Sequence, residues 1–248
     1  MAIKARKISD WLSANGQAIT NASAASMKAY LEKNLRSLQD GVYIGKIQNE
    51  DWGTYYRCEP WQETSIGISN ADADAVVVQH GSTRIGIALT EPSAAMKWGS
   101  VQNASSVGYQ TSNDWNLLDG KTRTAAIMAS SYYKNDSPST YAVAYCYNYS
   151  KSHIGDPGGD VGIPTKSWYL PATGELEIIR SHFETINLAL QRIKNAGKQN
   201  TDLLKREYYW SCVEDSGMSA FCLNFNLGYR DSNGKVSRSF KVRPVTAF

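Results

Sequence analysis

The chain has 248 residues, of which 42% are hydrophobic and 20% are charged, a composition typical of a folded protein with a sizeable core. Its 26 basic and 23 acidic residues leave a net charge of +3, which is too small for the strong basic field of nucleic-acid-binding proteins. No apolar stretch is long enough to cross a bilayer, and residues 1–10 lack the apolar core of a signal peptide. We therefore expect no nucleic-acid partner, no membrane insertion and no signal-directed export.

Residues 1–65 are predicted to form a small N-terminal module, a helix followed by a hairpin. Apolar residues recur at helical spacing through its first part, and Gly41 ends that pattern. Two short strands, Val42–Ile47 and Tyr55–Cys58, are predicted to flank a turn at Asn49–Asp51. Because the apolar face of a lone helix needs a partner, we expect it to pack on the main domain or to form a homo-oligomer.

Residues 66–248 are predicted to form the main domain. Asp74–Gln79 and Thr83–Leu89 read as two strands of a hairpin around a turn at His80–Ser82. The stretch 98–119 is dominated by Ser, Asn, Gly and Gln, and it predicts an ordered loop that the scattered aromatic residues hold in place.

The last eighty residues alternate between an extended segment, a helix and strands. Trp168–Thr173 is predicted to lead into a helix that Thr173 caps and that ends before Gly197. From Tyr208 onward the chain is predicted to be β. Within Ser219–Asn226 the two-residue period predicts a buried face and a solvent face, with Phe221, Leu223 and Phe225 on the first and Cys222, Asn224 and Asn226 on the second.

The cysteine and histidine residues give no sign of a metal or catalytic centre. The four cysteines form no CxxC pair, so free thiols are expected. His80 falls in a turn, His153 in a loop and His182 on a helix, and none has a histidine partner four residues away. We therefore expect solvated or partly packed histidines and no cofactor.

Acidic residues do not predict a calcium site either. Asp156, Asp160 and Glu177 are the candidates, but calcium needs several oxygen ligands that converge on one ion, and these residues lack such spacing. We expect these acidic residues to lie in solvated loops. The sequence predicts no bound metal.

Several motifs follow in a fixed order toward the C-terminus. They are Trp168–Pro171 with Gly174–Leu176, Tyr209–Ser211 with Glu214, Ala220–Phe221 with Asn224–Phe225 and Gly228, and Val242–Phe248. This set resembles the C-type lectin-like fold as used by the variable proteins of diversity-generating retroelements, and by related surface and phage proteins of gut bacteria. The resemblance covers the last third of the chain well and extends more loosely from Ala71. It implies an α+β protein with a twisted antiparallel sheet, two helices and long ordered loops.

The resemblance also implies a division between framework and binding positions within residues 208–248. In such proteins, retroelement-directed mutagenesis changes codons near the 3′ end of the gene, and the altered residues form a solvent-facing patch on a fixed framework. The implied framework is Trp210, Ser211, Phe225, Gly228, Arg243 and Phe248. The implied ligand-binding positions are Val213, Asp215, Ser216, Gly217, Met218, Ser219, Cys222, Asn226, Leu227, Tyr229, Arg230, Asp231 and Ser232. Cys212 and Phe221 stand where the family commonly has Ser and Trp.

The residues support a binding patch on physical grounds. Exposed loops gain little from apolar side chains, so Met218, Leu227 and Tyr229 need another explanation, and Tyr229 with Arg230 is a pair of hot-spot residue types. The alternative is that the three apolar side chains fold back over the core. We expect a hypervariable surface that recognises a protein or glycan on a cell surface without a cofactor. The protein is expected in a phage virion, or in the bacterial cytoplasm before the virion assembles.

Two other functions stay open at this stage. One is a surface adhesion protein of the same fold that is not diversified. The other is an enzyme related to the formylglycine-generating enzymes, which share the fold family and use a reactive cysteine pair. Cys212 and Cys222 are the candidates for that pair, although their flanking residues do not resemble that enzyme site. We expect a binding protein and not an enzyme.

Overall fold

The computed structural model describes residues 38–50, 53–61, 73–104, 115–149, 167–197 and 200–247. The predicted N-terminal helix, the domain boundary after residue 65, and His153, Asp156, Asp160 and Phe248 lie outside the described residues.

The described residues form an α+β structure with eleven strands and four helices. The strands are β1 (Gly41–Glu50), β2 (Gly53–Pro60), β3 (Ala75–His80), β4 (Thr83–Ala88), β5 (Met96–Lys97), β6 (Trp168–Tyr169), β7 (Tyr208–Glu214), β8 (Ser219–Asn224), β9 (Arg230–Gly234), β10 (Ser239–Phe240) and β11 (Val245–Ala247). The helices are α1 (Gly120–Ala129), α2 (Ala142–Asn148), α3 (Thr173–Ser181) and α4 (Phe183–Asn195).

The largest sheet has six antiparallel strands in the order β2-β1-β3-β4-β11-β6. Both hairpins predicted from the sequence, β1 with β2 and β3 with β4, are confirmed. The first hairpin continues the sheet, because β1 also pairs with β3 from Gly41↔Gln79 to Gly45↔Ala75. The strand β11 lies between β4 and β6 and pairs with both.

Strand β3 is buried on both faces of this sheet. Val76 and Val78 point to the main hydrophobic core, while Ala75 and Val77 pack with Trp168 in a second, smaller cluster. The continuous run of apolar residues in β3 follows from this, since a strand covered on both sides has no face to leave polar. The main core extends from this sheet to the helices and to the strands β7 and β8.

Two of the four helices, α1 and α2, were not predicted by the sequence pattern. The buried residues of α1 include Gly120 and Thr124, so its inner face does not form an apolar stripe. The helix α2 has only seven residues, which is too short for a helical period to be read. Both segments therefore form helices because of their packing in the folded protein, and their sequence pattern alone does not indicate a helix.

The helix predicted after residue 173 is present, but its cap and its continuity differ from the prediction. The N-cap position is Ala172, not Thr173, and the Glu175 carboxylate accepts a hydrogen bond from the Ala172 N–H (2.7 Å) and another from the Tyr169 hydroxyl (2.9 Å). A carboxylate at the third helical position thus satisfies the N–H of the N-cap residue, as in a capping box.

The same helix is divided into α3 and α4 at His182, without Pro or Gly. The imidazole Nδ1 of His182 lies 3.0 Å from the Ile178 carbonyl oxygen, the acceptor that the His182 N–H would use in a continuous helix. The His182 N–H instead donates to Ile179 (3.2 Å), one residue later. A side chain that bonds the local backbone competes with the regular helical bond, and the helix turns at that residue.

The described residues contain no helix that is both long and apolar enough to cross a membrane.

Candidate recognition surface

The predicted binding positions lie on a second, antiparallel sheet, in which β8 pairs with β7 on one side and with β9 on the other. Residues 215–218 connect β7 to β8, and residues 225–229 connect β8 to β9. The two connections lie at opposite ends of β8, roughly 17 Å apart for a strand of this length. The strand β9, the last of the sheet, runs between them.

The structure buries three of the predicted binding positions, which the resemblance implied would face solvent. Val213 and Cys222 have no exposed surface, and Gly217 is also buried. The two-residue alternation assigned Cys222 to solvent, but β8 is covered on both faces at that point: the Cys222 thiol donates to Asp231 O (3.6 Å) and accepts from Asn233 Nδ2 (3.4 Å). Asn224 is half-buried, and Asn226 is exposed as predicted.

The other ten predicted positions are exposed or half-buried, and we call them the recognition surface. They are Asp215, Ser216, Met218, Ser219, Asn226, Leu227, Tyr229, Arg230, Asp231 and Ser232. The predicted core residues Phe221, Leu223 and Phe225 are buried, which confirms the other half of the alternation.

Hydrogen bonds fix the backbone of the loop between β7 and β8. The Ser216 hydroxyl accepts from the N–H groups of Met218 (3.2 Å) and Ser219 (3.0 Å). The Met218 carbonyl accepts from the Lys235 N–H (2.9 Å), and the Gly217 carbonyl accepts from the Ala104 N–H (3.2 Å). The Met218 side chain is nevertheless 49% exposed, so the loop holds an apolar side chain in water.

The loop between β8 and β9 is built around Asn224. Its side-chain oxygen accepts from Asn226 N (2.9 Å) and Leu227 N (3.0 Å), and its carbonyl accepts from Gly228 N (2.7 Å). Gly228 has φ +75°, a conformation that other residues rarely adopt. This loop leaves Leu227 56% and Tyr229 61% exposed.

Arg230 joins this loop to the rest of the protein. Its Nε donates to the Glu177 carboxylate of α3 (2.6 Å), and its guanidinium lies 5.4 Å from the centre of the Trp115 ring. Trp115 in turn packs edge-on against Phe221 of β8 (5.2 Å). Arg230 is half exposed, so a cation is held in place by an acid and an aromatic ring while it faces solvent.

Sequence reasoning missed Glu177 and Trp115 as supports for Arg230. The three residues come from a helix, a loop and a strand that are distant in the chain, and no periodicity brings them together. The sequence pattern also did not predict that Leu118, in the same loop as Trp115, is an exposed apolar residue (48%).

A buried ion pair lies beneath the surface. Lys235 and Glu214 have no exposed side-chain area and are joined by a bond of 2.7 Å. The Lys235 ammonium also donates to the Ala104 carbonyl (2.8 Å) and lies 4.8 Å from the centre of the Trp98 ring. Burial lowers the pKa of Lys235, and the Glu214 carboxylate opposes that effect. The pair connects residues 98–104 to the end of β7, at Glu214, and to the residue that follows β9, Lys235.

Four framework residues, Trp210, Ser211, Phe225 and Arg243, are buried, whereas Gly228 is half-buried in the loop between β8 and β9. The Trp210 indole donates to Met96 O (2.9 Å), and the Ser211 hydroxyl accepts from Val213 N (3.0 Å). The Arg243 guanidinium donates to Ala88 O (2.9 Å) and lies 3.2 Å from the Glu91 carboxylate. The Trp210 contact joins β7 to β5, which pairs with β10 in a two-stranded sheet, and the Arg243 contacts join the segment before β11 to the end of β4.

All four cysteines are free thiols, as predicted; Cys58 is half-buried and the other three are buried. Burial raises the pKa of Cys212 well above its ordinary value, and it raises that of Cys222 to about 12. Within the described residues, no cluster of three or more His, Cys, Asp or Glu side chains is placed to hold a metal ion.

Comparison with known proteins identifies a likeness of fold. No protein-family model matches the chain, and no curated protein matches it. Among solved structures, the chain is similar to a fimbrial protein from Bacteroides ovatus ATCC 8483, with a TM-score of 0.55 and 12% sequence identity. The match covers 85% of this chain and 49% of that one, so this chain spans about half the length of the fimbrial protein.

Proposed function

We propose that this protein is a binding protein, and that it holds its ligand on the recognition surface along β9 and the two adjoining loops. One observation carries the proposal. Six large hydrophobic side chains are exposed in the described part of the chain, and three of them, Met218, Leu227 and Tyr229, lie in these two loops. Single exposed apolar side chains are common on protein surfaces, but their concentration in two loops of one sheet is typical of an interaction site.

The chemistry of the surface favours contact by aromatic, aliphatic and Arg side chains over contact through a metal. Tyr and Arg are the residue types most enriched among interface hot spots, and Tyr229 and Arg230 are neighbours here. Because Glu177 and Trp115 already hold Arg230, little side-chain freedom is lost when a ligand binds. The proposed ligand is a protein or glycan on a cell surface.

We further propose a C-type lectin-like scaffold of the kind that diversity-generating retroelements vary. Two features support this proposal: the ordered motifs of the C-terminal third, and the contrast between buried framework residues such as Trp210 and Arg243 and the mixed residue types of the recognition surface. The likeness to a fimbrial protein supports adhesion at a surface. That surface would belong to a phage tail or to a cell. Self-association through the N-terminal helix would add avidity to weak contacts.

A non-diversified adhesion protein is the second candidate, and the same exposed loops support it. The enzyme alternative has less support. A cysteine nucleophile needs an accessible thiol with a lowered pKa, whereas Cys212 and Cys222 are buried and their pKa values are raised.

Sequencing the DNA around the gene separates the two binding proposals. The diversified protein requires a reverse transcriptase gene nearby and a near-copy of the 3′ end of this gene that differs at adenines. We expect those differences to fall in codons of the recognition surface and to spare Val213, Gly217 and Cys222. A locus without either element would refute diversification and leave the adhesion protein.

A further inference from the structure

The fold brings together two histidines that are distant in the sequence. His80 is the last residue of β3, and His182 lies at the joint between α3 and α4. Their ring centres are 5.8 Å apart and the ring planes are 80° apart. His80 is exposed and His182 is half-buried, so an ion from solvent can reach the pair.

The contacts of His182 orient its ring for coordination. Its Nδ1 lies 3.0 Å from both the Ile178 carbonyl oxygen and the Ser181 hydroxyl, and that hydroxyl donates its own proton to Ile178 O (2.8 Å). Both neighbours therefore accept, so Nδ1 carries the proton and donates. The lone pair of the neutral ring is then on Nε2. Metal-binding histidines characteristically donate their other N–H to a backbone carbonyl in this way.

The backbone around His80 is held as well. The Gly81 N–H donates to the Asp40 carboxylate (2.8 Å), and the Gln79 side-chain amide donates to Gly81 O (2.6 Å). Both contacts fix the turn that begins at His80. The two rings therefore sit on two rigid supports, one on the sheet and one on the helices.

We propose that His80 and His182 together bind a divalent transition-metal ion of the zinc class, with water as the remaining ligands. A ring nitrogen binds zinc at about 2.1 Å, which places each ring centre about 3.2 Å from the ion. Two such rings are then about 5.2 Å apart at a tetrahedral angle and about 6.4 Å apart when opposite, and the observed 5.8 Å lies between these values. Imidazole is a preferred ligand for zinc, nickel and copper.

The bound ion would join the turn after β3 to the joint between α3 and α4. An ion that binds the folded protein and not the unfolded chain raises the melting temperature by mass action. At a free zinc concentration a hundred times the Kd, the expected rise is about 5–10 °C for a chain of this size.

The test is titration of the metal-free, untagged chain with zinc chloride by calorimetry, followed by thermal unfolding with and without zinc. We expect one site per chain, and at least about tenfold weaker binding for H80A and for H182N. Asn is chosen at position 182 because its amide can keep the hydrogen bond to Ile178 O while the coordinating nitrogen is lost.

His153, the third histidine of the chain, provides the matched control. H153A should bind zinc within about twofold of the wild type. At a zinc concentration that raises the melting temperature of H153A by about 5–10 °C, the rise for H182N should be at most about half as large, and the zinc-free melting temperatures should show that both variants fold. Binding as tight in H80A and H182N as in the wild type, or binding that is lost in H153A, would overturn the assignment.

Discussion

Replacing Lys235 with Met should destabilise the protein strongly, because it removes the buried ammonium that neutralises the buried Glu214 carboxylate. Lys235 makes four contacts that Met cannot replace: the bonds to Glu214 (2.7 Å), Ala104 O (2.8 Å) and the Tyr133 hydroxyl (3.5 Å), and the approach to the Trp98 ring (4.8 Å). Removal of one member of a buried ion pair costs about 3–5 kcal/mol. For a chain of this size that corresponds to a fall in melting temperature of about 6–20 °C.

Urea unfolding, followed by circular dichroism, measures this change in the free energy of unfolding. The variant R206M is the matched control, since the Arg206–Glu184 pair is also a single ion pair but its side chains are 54% and 71% exposed. It should lose no more than about 1 kcal/mol. The double variant E214Q/K235M removes both buried charges, and it should recover at least about 1 kcal/mol relative to K235M.

Two results would refute this reasoning. One is a K235M variant that loses no more stability than R206M, which would mean that Lys235 is not buried in solution. The other is a double variant no more stable than K235M, which would mean that the uncompensated charge of Glu214 is not the source of the cost.

Two further predictions concern Glu175 and Gly228. Burial raises the pKa of Glu175 from 4.5 to about 7. The stability contributed by the protonated form of Glu175 is present below pH 4.5 and is lost as the pH rises through about 7, a loss of about 3 kcal/mol. Urea titrations at several pH values should show this loss of stability in the wild type and not in E175Q. A Cβ at Gly228 would lie 2.6 Å from the Arg180 guanidinium at φ +75°, whereas at Gly81 (φ +56°) it would meet nothing within 4 Å. Thermal unfolding should therefore show G228A to be less stable than G81A, by about 1 kcal/mol or more. Equal losses of stability in the two variants would mean that Arg180 moves aside freely.

Local patterns predicted the hairpins and the three-residue core stripe of β8, because strand alternation and turn residues act over a few positions. They failed where a contact comes from a distant element. Cys222 was assigned to solvent because alternation cannot show that side chains of the neighbouring strand, such as Asn233 of β9, contact the thiol and help to bury it. The division of the helix at His182 depends on a side chain that competes for a backbone carbonyl, and apolar spacing does not register that competition.

The recognition surface was predicted in outline, and its supports were not. The exposed loop residues were found because apolar side chains in a turn need an explanation, and Leu227 and Tyr229 are indeed exposed. The placement of Arg230 between Glu177 and Trp115, by contrast, joins three segments that only the folded chain brings together.

A matched pair of double variants tests the central claim, that the recognition surface binds the ligand. L227S/Y229S removes one Leu and one Tyr from the surface, which are 56% and 61% exposed, and Y132S/L188S removes the same two residue types elsewhere, where they are 49% and 56% exposed. Binding of fluorescently labelled protein to a panel of bacterial strains is measured by flow cytometry, and every strain that the wild type binds is titrated with both variants. We expect L227S/Y229S to lose at least about thirtyfold in affinity, as for a hot spot worth about 2 kcal/mol, and Y132S/L188S to stay within about twofold of the wild type. Equal affinity of the two variants would contradict the account.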